Sequence, residues 1–591
     1  IKIMMWGMRF DISAIIYLNL LFIALHIIPN PWREKGWYQR TLKIMFYGVN
    51  FIALVVEAGD FIYFKYALKR TSSHVLGMTN DLLMLIPQII KDFWFVILLC
   101  LGITAIVEFF YRKTHIKKTE FRNNYLVQFG LMVLFSGAFV VGARGGLQLK
   151  PISPGTAAFY VDDNRLTPLV INTSFNILYS LNHRDLEERN YFPEDKVQQL
   201  FTAYKENERH YSPKTDSLGN VVNPAPNVVV IVLESFSKEY IGFYNKSGGY
   251  TPFLDSLMEN GLSFSNAYAN GKHSNEGIVA LTASIPVLME DPFISCVYHT
   301  NSFVGVGSLM EKEGYQSYFF HGGNNGTMGF DQYGKSCGFT KYFGRDEYGN
   351  DDDYDGNWGI FDEPFMQFTA TELTKQEGPF YALLFTLSSH HPFAIPEKYK
   401  GKFPKGPEEI HEVVGYTDYA LKRFFATASK QPWFDNTLFI VTADHTGPPT
   451  AEFYTNQIGI HSIPLVFYMP GEGLSGVSHQ VVQQSDVLPS ILDFVGYKGK
   501  FTAFGNSIFD TTSPRYAYNY LNAVYQILDD DYVLHFDGSR IMGLFRYKQD
   551  SMLQFNLAGS FPEKTKELAT QLKAIMQTHN HLLIENKLIP R

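Results

Sequence analysis

Four long apolar segments near the N-terminus constrain this chain of 591 residues most strongly. A helix of about 20 apolar residues crosses the hydrocarbon core of a bilayer. The four segments come near that length, and they are Ile12–Ile28, Ile44–Phe64, Phe93–Tyr111 and Tyr125–Ala143. After them the composition is that of an ordinary soluble protein. We therefore predict a helical transmembrane bundle over residues 1–145 and a soluble part after it.

The short loops between these segments indicate how the chain is oriented in the membrane. Cytoplasmic loops carry an excess of Lys and Arg, and two of the loops here are rich in both. The first loop covers residues 30–43 and the third covers residues 111–124; between them they carry Arg33, Lys35, Arg40, Lys43, Arg112, Lys113, Lys117, Lys118 and Arg122. We therefore place both loops in the cytoplasm and everything after Arg144 outside it.

The start of the chain and the second loop need separate interpretation. The orientation puts residue 1 outside the cytoplasm, yet no segment resembles a cleavable signal peptide, and the chain begins with Ile. We therefore expect one further span before residue 1, which makes five in the full protein. The second loop, residues 65–92, has apolar residues at helical spacing. It is either a helix along the membrane surface or a plain linker.

Charge and cysteine content narrow the possible partners. The net charge is −8 and no run of Lys and Arg resembles a nucleic-acid-binding arm, which excludes nucleic acid as a partner.

The polar residues 146–225, including the helix-like stretch 192–207, are predicted to form a linker with helices. Cys296 and Cys337 follow in the exported part, where an oxidising compartment permits a disulfide. A bridge and two free thiols both remain open.

Acidic side chains follow two predicted strands of the soluble part. The run "NVVVIVLESF" is apolar almost throughout and reaches Glu234 where the strand should end. In "NTLFIVTADHTGPP", Asp444 and His445 follow the strand Leu438–Thr442. Continuous apolar runs are typical of central strands in a parallel sheet, and open α/β sheets place their sites at the carboxyl ends of such strands. Either acid alone is more often a cap or a solvated turn residue, but together with the His they suit a divalent cation.

Ser274 lies in "GKHSNEGIVALTASIP", directly before a predicted helix. An isolated Ser at this place is usually an N-cap. A helix N-terminus also favours bound phosphate through its free backbone N–H groups and partial positive charge. Because a nearby metal ion lowers the pKa of a hydroxyl, it makes a Ser competent as a nucleophile. For Ser274, an N-cap and an attacking group on phosphorus are therefore both open at this point.

Nine motifs follow one another along the soluble part. In chain order they are "NVVVIVLESF", "TPFLDSL", "NGKHSNEGIVALTASIP", "FFHGGNNGTMGFD", "NWGIFDEPF", "TLSSHHPFAIP", "TADHTG", "IHSIPLVFYMPG" and "SDVLPSILDFVG". The series resembles the lipoteichoic acid synthase-like family of membrane phosphoglycerol transferases. The resemblance implies an α/β sulfatase-like domain of the alkaline phosphatase superfamily with a central, mostly parallel sheet. We expect this extracytoplasmic catalytic domain to cover residues 226–510, and residues 511–591 to form its C-terminal part.

The resemblance also implies roles for particular residues. Glu234 matches the first metal ligand, and Asp444 and His445 match the paired ligands after the last central strand. Ser274 matches the nucleophilic Thr or Ser of the family, which also touches the metal. His390 matches a histidine that contacts the substrate phosphate, whereas for His391 we favour a structural or rim role. His461 matches a histidine that some relatives, notably phosphoethanolamine transferases, keep near the site.

The sequence departs from the family at one motif. Synthases that polymerise glycerol phosphate carry Trp and Arg in the motif matching "HGGNNGTMGFD", where the two residues hold the glycerol phosphate group. The corresponding positions here are Met328 and Phe330, and we assign both to the substrate-binding region. Phe cannot replace a bidentate Arg–phosphate contact. The departure leaves catalysis intact but puts the transferred head group or the acceptor in doubt.

The predicted function is that of a metal-dependent phosphotransferase in a bacterial cytoplasmic membrane. It would move a phosphoglycerol-type head group from a membrane phospholipid, phosphatidylglycerol or phosphatidylethanolamine, through a phospho-Ser intermediate to a glycan or lipid acceptor. Mn²⁺ is the favoured ion, with Zn²⁺ or Mg²⁺ as alternatives. A phosphoethanolamine transferase or a hydrolase would use the same site. A non-catalytic membrane protein that kept the fold for binding is the remaining alternative.

Overall fold

The computed structural model describes residues 2–33, 35–67, 70–73, 79–113, 125–147, 151–152, 157, 167–182, 186–206, 208–215, 225–245 and 248–590. The chain divides into two compact units, Ile1–Arg184 and Asp185–Arg591. The division falls inside the stretch 146–225 that the sequence predicts as a linker.

The N-terminal unit is helical. In its described part, three helices are long and apolar enough to cross a membrane, and their spanning segments are Gly36–Phe61, Ile90–Lys113 and Tyr125–Ala143. These correspond to the second, third and fourth apolar segments of the sequence. The helices of the unit are α1 (Lys2–Leu18), α2 (Leu20–Ile27), α3 (Gly36–Ala67), α4 (Thr79–Lys113), α5 (Tyr125–Ala143), α6 (Thr167–Val170) and α7 (Thr173–Asn182).

The first apolar segment, Ile12–Ile28, is not one helix but part of a bent pair. The axes of α1 and α2 differ by 69°, and Asn19 between them has non-helical angles of φ −99° and ψ 14°. The Asn19 amide donates to the Ile15 carbonyl at 3.0 Å and exchanges hydrogen bonds with Asn50 of α3. An amide that bonds to the backbone in this way competes with helical hydrogen bonding. The helix therefore bends at Asn19, where apolarity alone predicts continuity.

The predicted loops are described only in part. Residues 79–92 of the second loop belong to α4, which has non-helical angles at Phe93 (φ −123°, ψ 26°). Residues 74–78 of that loop and residues 114–124 of the basic third loop lie outside the described residues. Residues 79–92 are therefore helical. Their location along the membrane surface and the orientation of the spans stay predictions.

An eight-stranded sheet forms the centre of the C-terminal unit, with strand order β5-β4-β6-β2-β7-β8-β3-β9. Only β8 runs antiparallel to its neighbours among these strands. The bounds are β2 (Asn227–Leu233), β3 (Leu262–Tyr268), β4 (Gln316–His321), β5 (Lys341–Phe343), β6 (Phe380–Phe385), β7 (Thr437–Ala443), β8 (Leu465–Tyr468) and β9 (Gly476–Gln483). The mostly parallel sheet predicted from the sequence is confirmed.

The central strand β2 explains why the sheet forms. All seven of its residues are buried, as expected for a parallel strand that is covered on both faces. Val230 pairs with Leu383 of β6 on one side and with Ile440 of β7 on the other. Because β2 and β7 are adjacent and parallel, their carboxyl ends lie side by side. Glu234 and Asp444 follow directly at those ends.

Two smaller sheets complete the unit. Strands β1 (Tyr204–Glu206) and β10 (Lys500–Thr502) pair with each other, so the predicted helix-like stretch 192–207 is a helix only as far as Leu200. The remaining strands form a four-stranded antiparallel sheet of β11 (Ala517–Leu521), β12 (Val524–Leu528), β13 (Val533–Phe536) and β14 (Ile541–Phe545). Ala517 and Leu528 of that sheet share an apolar cluster with Tyr268 of the central sheet.

Helices cover the sheets of the C-terminal unit. They are α8 (Glu194–Leu200), α9 (Pro252–Asn260), α10 (Ser274–Ala283), α11 (Val306–Lys312), α12 (Phe330–Ser336), α13 (Arg345–Tyr348), α14 (Asp362–Thr374), α15 (Ile410–Ala428), α16 (Val487–Val495) and α17 (Pro562–Ile584). Cys296 and Cys337 are both buried as free thiols, so the disulfide left open by the sequence does not form.

Helix α10 packs directly on the end of β7. A Cβ added at Gly277 would lie 2.2 Å from the Asp444 carbonyl oxygen, closer than any side chain tolerates. The absence of a side chain at Gly277 is therefore what lets the N-terminus of α10 approach the residues after β7.

We expect Gly277→Ala to lower the stability of the C-terminal unit by about 1–3 kcal/mol, the usual cost of inserting a methyl group into a packed interface. Thermal unfolding of the full chain measures the effect. Gly559→Ala is the matched control, because an added Cβ there meets no atom of the described residues within 4 Å. Equal melting temperatures for the two variants would contradict the close approach.

Candidate active site

Four predicted site residues come together where β2, β7 and α10 meet. Glu234 follows β2, Asp444 and His445 follow β7, and Ser274 begins α10. Ligand atoms of Glu234, Asp444 and His445 all lie within 4.8 Å of one another. The arrangement matches the sequence expectation that two adjacent strand ends deliver the acids and the histidine to one point.

The Ser274 hydroxyl points into this cluster. Its Oγ donates to Glu234 Oε2 at 3.0 Å and lies 3.4 Å from His445 Nε2. Ser274 is the first residue of α10, and His273 occupies the N-cap position. From the sequence, Ser274 is a candidate for the N-cap, but the cap lies one residue earlier. A hydroxyl at this point lies beside both the acidic cluster and the backbone N–H groups of the first helical turn.

The electrostatics of the cluster fit a bound cation. Burial, followed by the charge of Asp444, raises the pKa of Glu234 well above its ordinary value, whereas burial lowers the pKa of His445. Asp444 Oδ1 accepts from the backbone N–H groups of Ser235 and His445, each at 2.8 Å. Asp444 Oδ2 is buried and accepts no hydrogen bond from the described residues. Two carboxylates, a neutral imidazole and an unused carboxylate oxygen form a donor set that suits a divalent cation.

His390 lies at the side of the cluster. Its Nδ1 is 2.9 Å from the His391 carbonyl oxygen, and its ring meets that of Trp358 edge-on with centroids 4.3 Å apart. Burial lowers the pKa of His390 to about 4, and the charges of His445 and Asp444 also act on it. The imidazole is therefore neutral at physiological pH. If the His391 carbonyl accepts from Nδ1–H, Nε2 is left as an acceptor.

His461 is fully buried near the cluster. Its Nδ1 lies 2.8 Å from the Gln457 carbonyl oxygen, and within the described part of the chain its Nε2 has no hydrogen-bond partner. Burial lowers its pKa to about 4. The structure thus leaves one imidazole nitrogen available, and the predicted role of His461 near the site stays a prediction.

The two positions that depart from the family motif, Phe330 and Met328, differ in burial and in backbone conformation. Phe330 is only 1% exposed, and its ring packs against those of Phe319, His321 and Phe385. Met328 is half-buried and adopts a left-handed backbone conformation with φ 50°. Phe330 therefore belongs to an aromatic cluster beneath the loop after β4. Neither side chain supplies a charged group to the site.

Sequence reasoning gave no role to three residues that support the cluster. The Ser235 hydroxyl donates to Glu234 Oε1 at 2.6 Å. Lys272 is buried, its Nζ donates to both oxygens of Thr446 at 2.6 and 2.8 Å, and burial lowers its pKa to about 7. His321 stacks on Phe385 with centroids 4.7 Å apart. In the sequence, Lys272 and Ser235 are each within two residues of a predicted ligand. This proximity is the signal by which the sequence could have indicated them.

Comparison with known proteins identifies the domain that holds this site. The Sulfatase family matches residues 226–497. The fold is similar to that of a protein in the alkaline phosphatase superfamily from Vibrio parahaemolyticus, with a TM-score of 0.58 and 23% identity over 68% of this chain and 98% of that one. Residues 226–497 therefore resemble a sulfatase domain. The fold predicted from the motifs is thereby confirmed.

Relatives of the sulfatase domain include lipoteichoic acid synthases. The chain is 26% identical to lipoteichoic acid synthase 1 of Bacillus subtilis strain 168, over 61% of this chain and 62% of that protein. It is 26% identical to the lipoteichoic acid synthase of Staphylococcus aureus strain USA300, over 54% of this chain and 52% of that protein. The crystal structure of the lipoteichoic acid synthase LtaP from Listeria monocytogenes shares the fold, with a TM-score of 0.55 and 18% identity over 67% of this chain and 99% of that one. The chain spans less than two thirds of the length of the two synthases from Bacillus and Staphylococcus.

We expect Asp444→Asn to remove the bound cation from the purified full chain. The amide oxygen can still accept the two backbone N–H groups, but the charge that attracts the cation is lost. After equilibration with Mn²⁺ or with Zn²⁺ and dialysis, elemental analysis should find about one metal ion per chain in the unsubstituted protein. Asp352→Asn, on an exposed loop, is the control and should retain the metal. Equal metal content in the two variants would show that Asp444 is not a ligand.

Proposed function

We propose that the chain is a membrane-anchored, metal-dependent phosphotransferase. It moves a phosphoglycerol-type head group from a membrane phospholipid to an extracytoplasmic acceptor through a phospho-Ser intermediate. The observation that carries the proposal is the placement of Ser274 Oγ, 3.0 Å from Glu234 and 3.4 Å from His445 at the start of a helix. Similarity to lipoteichoic acid synthases supports the same class of reaction.

Glu234, Asp444 and His445 would hold the metal, with Ser274 completing the set. We favour Mn²⁺ because one imidazole among oxygen ligands suits it, with Zn²⁺ or Mg²⁺ as alternatives. A divalent cation supplies charge that lowers the pKa of a neighbouring hydroxyl and stabilises a phosphoryl group. The remaining catalytic contributions come from residues of this chain.

In the first step the Ser274 oxygen attacks the phosphorus of the lipid head group. A bond forms between Oγ and phosphorus, and the bond from phosphorus to the diacylglycerol oxygen breaks. The Ser274 hydroxyl loses its proton, and the released diacylglycerol gains one. The N–H groups at the start of α10 face the phosphoryl oxygens and stabilise their charge, which is the largest expected term in such reactions.

In the second step an acceptor hydroxyl attacks the phosphoserine. Its oxygen bonds to phosphorus, the bond to Oγ breaks, the acceptor proton is lost, and Ser274 regains one. His390 lies beside the cluster as a neutral imidazole, and we assign it to contact with the phosphoryl group. A glycan or lipid acceptor gives a transferase, whereas water as acceptor would give a hydrolase. A donor such as phosphatidylethanolamine would make the same steps transfer phosphoethanolamine.

Membrane anchoring fits this chemistry. We assign the sulfatase domain to the outer side of a bacterial cytoplasmic membrane, with the N-terminal helices crossing the bilayer several times. Among the described residues, three helices are long and apolar enough to span the bilayer, and a fourth span is present if the bent pair α1–α2 counts as one. An anchored enzyme keeps its site close to a donor that itself stays in the bilayer.

Ser274→Ala should abolish head-group transfer without unfolding the protein, since it removes the nucleophile and leaves the helix N-cap at His273 in place. Transfer from head-group-labelled phosphatidylglycerol is measured together with the melting temperature. Ser336→Ala, on the exposed end of α12, is the control and should transfer normally. Mass spectrometry of the unsubstituted protein after exposure to donor lipid should find the added group on Ser274. Substantial transfer by the Ala variant would exclude the covalent route.

We further predict transfer of single head groups rather than growth of a glycerol phosphate polymer. Phe330 is buried in an aromatic cluster and offers no donor, so a growing phosphate chain would lack a bidentate cationic contact at that position. Labelled phosphatidylglycerol is supplied with membrane acceptors, and the products are sized by electrophoresis. Singly modified acceptors are the expected result. Long glycerol phosphate chains would contradict the prediction and show that another cation fills the role.

A further inference from the structure

The N-terminal unit contains a cavity of about 530 Å³ between α1, α3 and α4. Its volume lies in the range of ligand sites that are mostly apolar with a few polar groups. The walls are largely apolar, contributed among others by Leu18, Phe46, Leu54, Ile103 and Val107. Such walls suit the acyl chains of a lipid.

One end of the cavity is polar. Asp11 of α1, Glu57 of α3, Asn172 and Ser174 line it there. Asp11 Oδ1 accepts from the Asn172 amide at 2.8 Å, and Glu57 Oε1 accepts from the Ser174 N–H at 2.7 Å. Each carboxylate oxygen can accept a second hydrogen bond. Ionisable groups within membrane segments are costly and are usually kept for function.

The polar end lies near the C-terminal end of α5. The Ser13 hydroxyl of α1, two residues from Asp11, donates to the Ala143 carbonyl oxygen at 2.6 Å. Arg9 donates to the Gly145 carbonyl oxygen, also at 2.6 Å. This is the end of the bundle at which the chain leaves its last apolar helix. A lipid in the cavity would therefore have its head at that end and its acyl chains along the apolar walls.

The charges around the cavity favour a neutral lipid head group over an anionic one. Asp11 and Glu57 contribute two carboxylates, and no Lys or Arg is among the described residues that line it. A phosphate next to these two carboxylates would be repelled by them. A neutral head with a hydroxyl group instead donates a hydrogen bond to a carboxylate, and a bond to an ionised acceptor is stronger than one between neutral groups.

We propose that this cavity binds diacylglycerol, with its free hydroxyl donating to Asp11 or Glu57 and its acyl chains against the apolar walls. The choice of lipid rests on the proposed function, because diacylglycerol is what remains when a phospholipid donor loses its head group. The anionic donor itself is excluded by the carboxylates. The cavity thus takes the leaving lipid and not the substrate lipid.

Photolabelling of the full-length chain tests the site. The probe is a photoactivatable diacylglycerol, applied in nanodiscs to Ser274→Ala protein so that turnover does not affect occupancy. Val107→Trp fills the cavity and should lower labelling about tenfold, which corresponds to about 1.4 kcal/mol. Val133→Trp places the same bulk on α5, at an exposed position outside the cavity, and should label normally. Equal labelling of the two variants overturns the proposal.

Competition between head groups tests the charge argument. Unlabelled diacylglycerol should displace the probe at about tenfold lower concentration than phosphatidic acid with the same acyl chains. In Asp11→Asn/Glu57→Gln protein that preference should disappear, because the repulsion of phosphate is removed while the hydrogen-bonding shape is kept. Equal competition by the two lipids in the otherwise unsubstituted chain would mean that the cavity accepts any acyl chain, and the proposal would fail.

The proposed head-group transfer and the proposed lipid-binding cavity can be disproved independently. Head-group transfer is measured on chains with an intact Ser274, and lipid labelling on the Ala variant. If transfer occurs but labelling ignores Val107→Trp, the cavity assignment is wrong and the proposed function stands. If diacylglycerol labels the cavity but no head group is transferred, the proposed function is wrong, and with it the origin assigned to the bound lipid.

Discussion

The meeting of two buried carboxylates is the constraint on which the rest of the catalytic site depends. Glu234 and Asp444 follow adjacent parallel strands, so the pairing of β2 with β7 forces them together. Burial and the charge of Asp444 raise the pKa of Glu234, and buried like charges destabilise a fold unless neighbouring groups compensate. Ser235 and His445 provide part of that compensation through backbone N–H groups and a hydroxyl. The proposed cation would supply the remainder, at the point where Ser274, His445 and the N-terminus of α10 meet.

Much of the catalytic unit was predictable because its signals are local. The run Asn227–Leu233 is apolar throughout and folds as a fully buried central strand. The acids after β2 and β7 could be placed together from the rule that parallel strands end at one edge of a sheet. The motif resemblance then added the family and the assignment of Ser274, which spacing alone would have left as a cap.

The features that sequence reasoning missed depend on contacts between distant residues. Asn19 lies in an apolar stretch, and only its hydrogen bonds with Asn50, 31 residues away, reveal the break between α1 and α2. Strand β1 forms because Lys205 pairs with Phe501, a partner nearly three hundred residues away that no local pattern indicates. The Lys272 ammonium donates a hydrogen bond to Thr446, and the Phe330 ring packs against aromatic residues of β4 and β6. Hydropathy and propensity cannot supply pairings of this kind.

The two buried thiols of the C-terminal unit have a consequence for how this unit reaches its native state. Burial raises the pKa of Cys296 to about 12 and that of Cys337 to about 11. Because the thiolate is the reactive form, these side chains are nearly inert to exchange with glutathione or with oxidoreductases. The domain needs no oxidant to reach its native state and no reductant to keep it. Its maturation is therefore independent of thiol–disulfide exchange at these two residues.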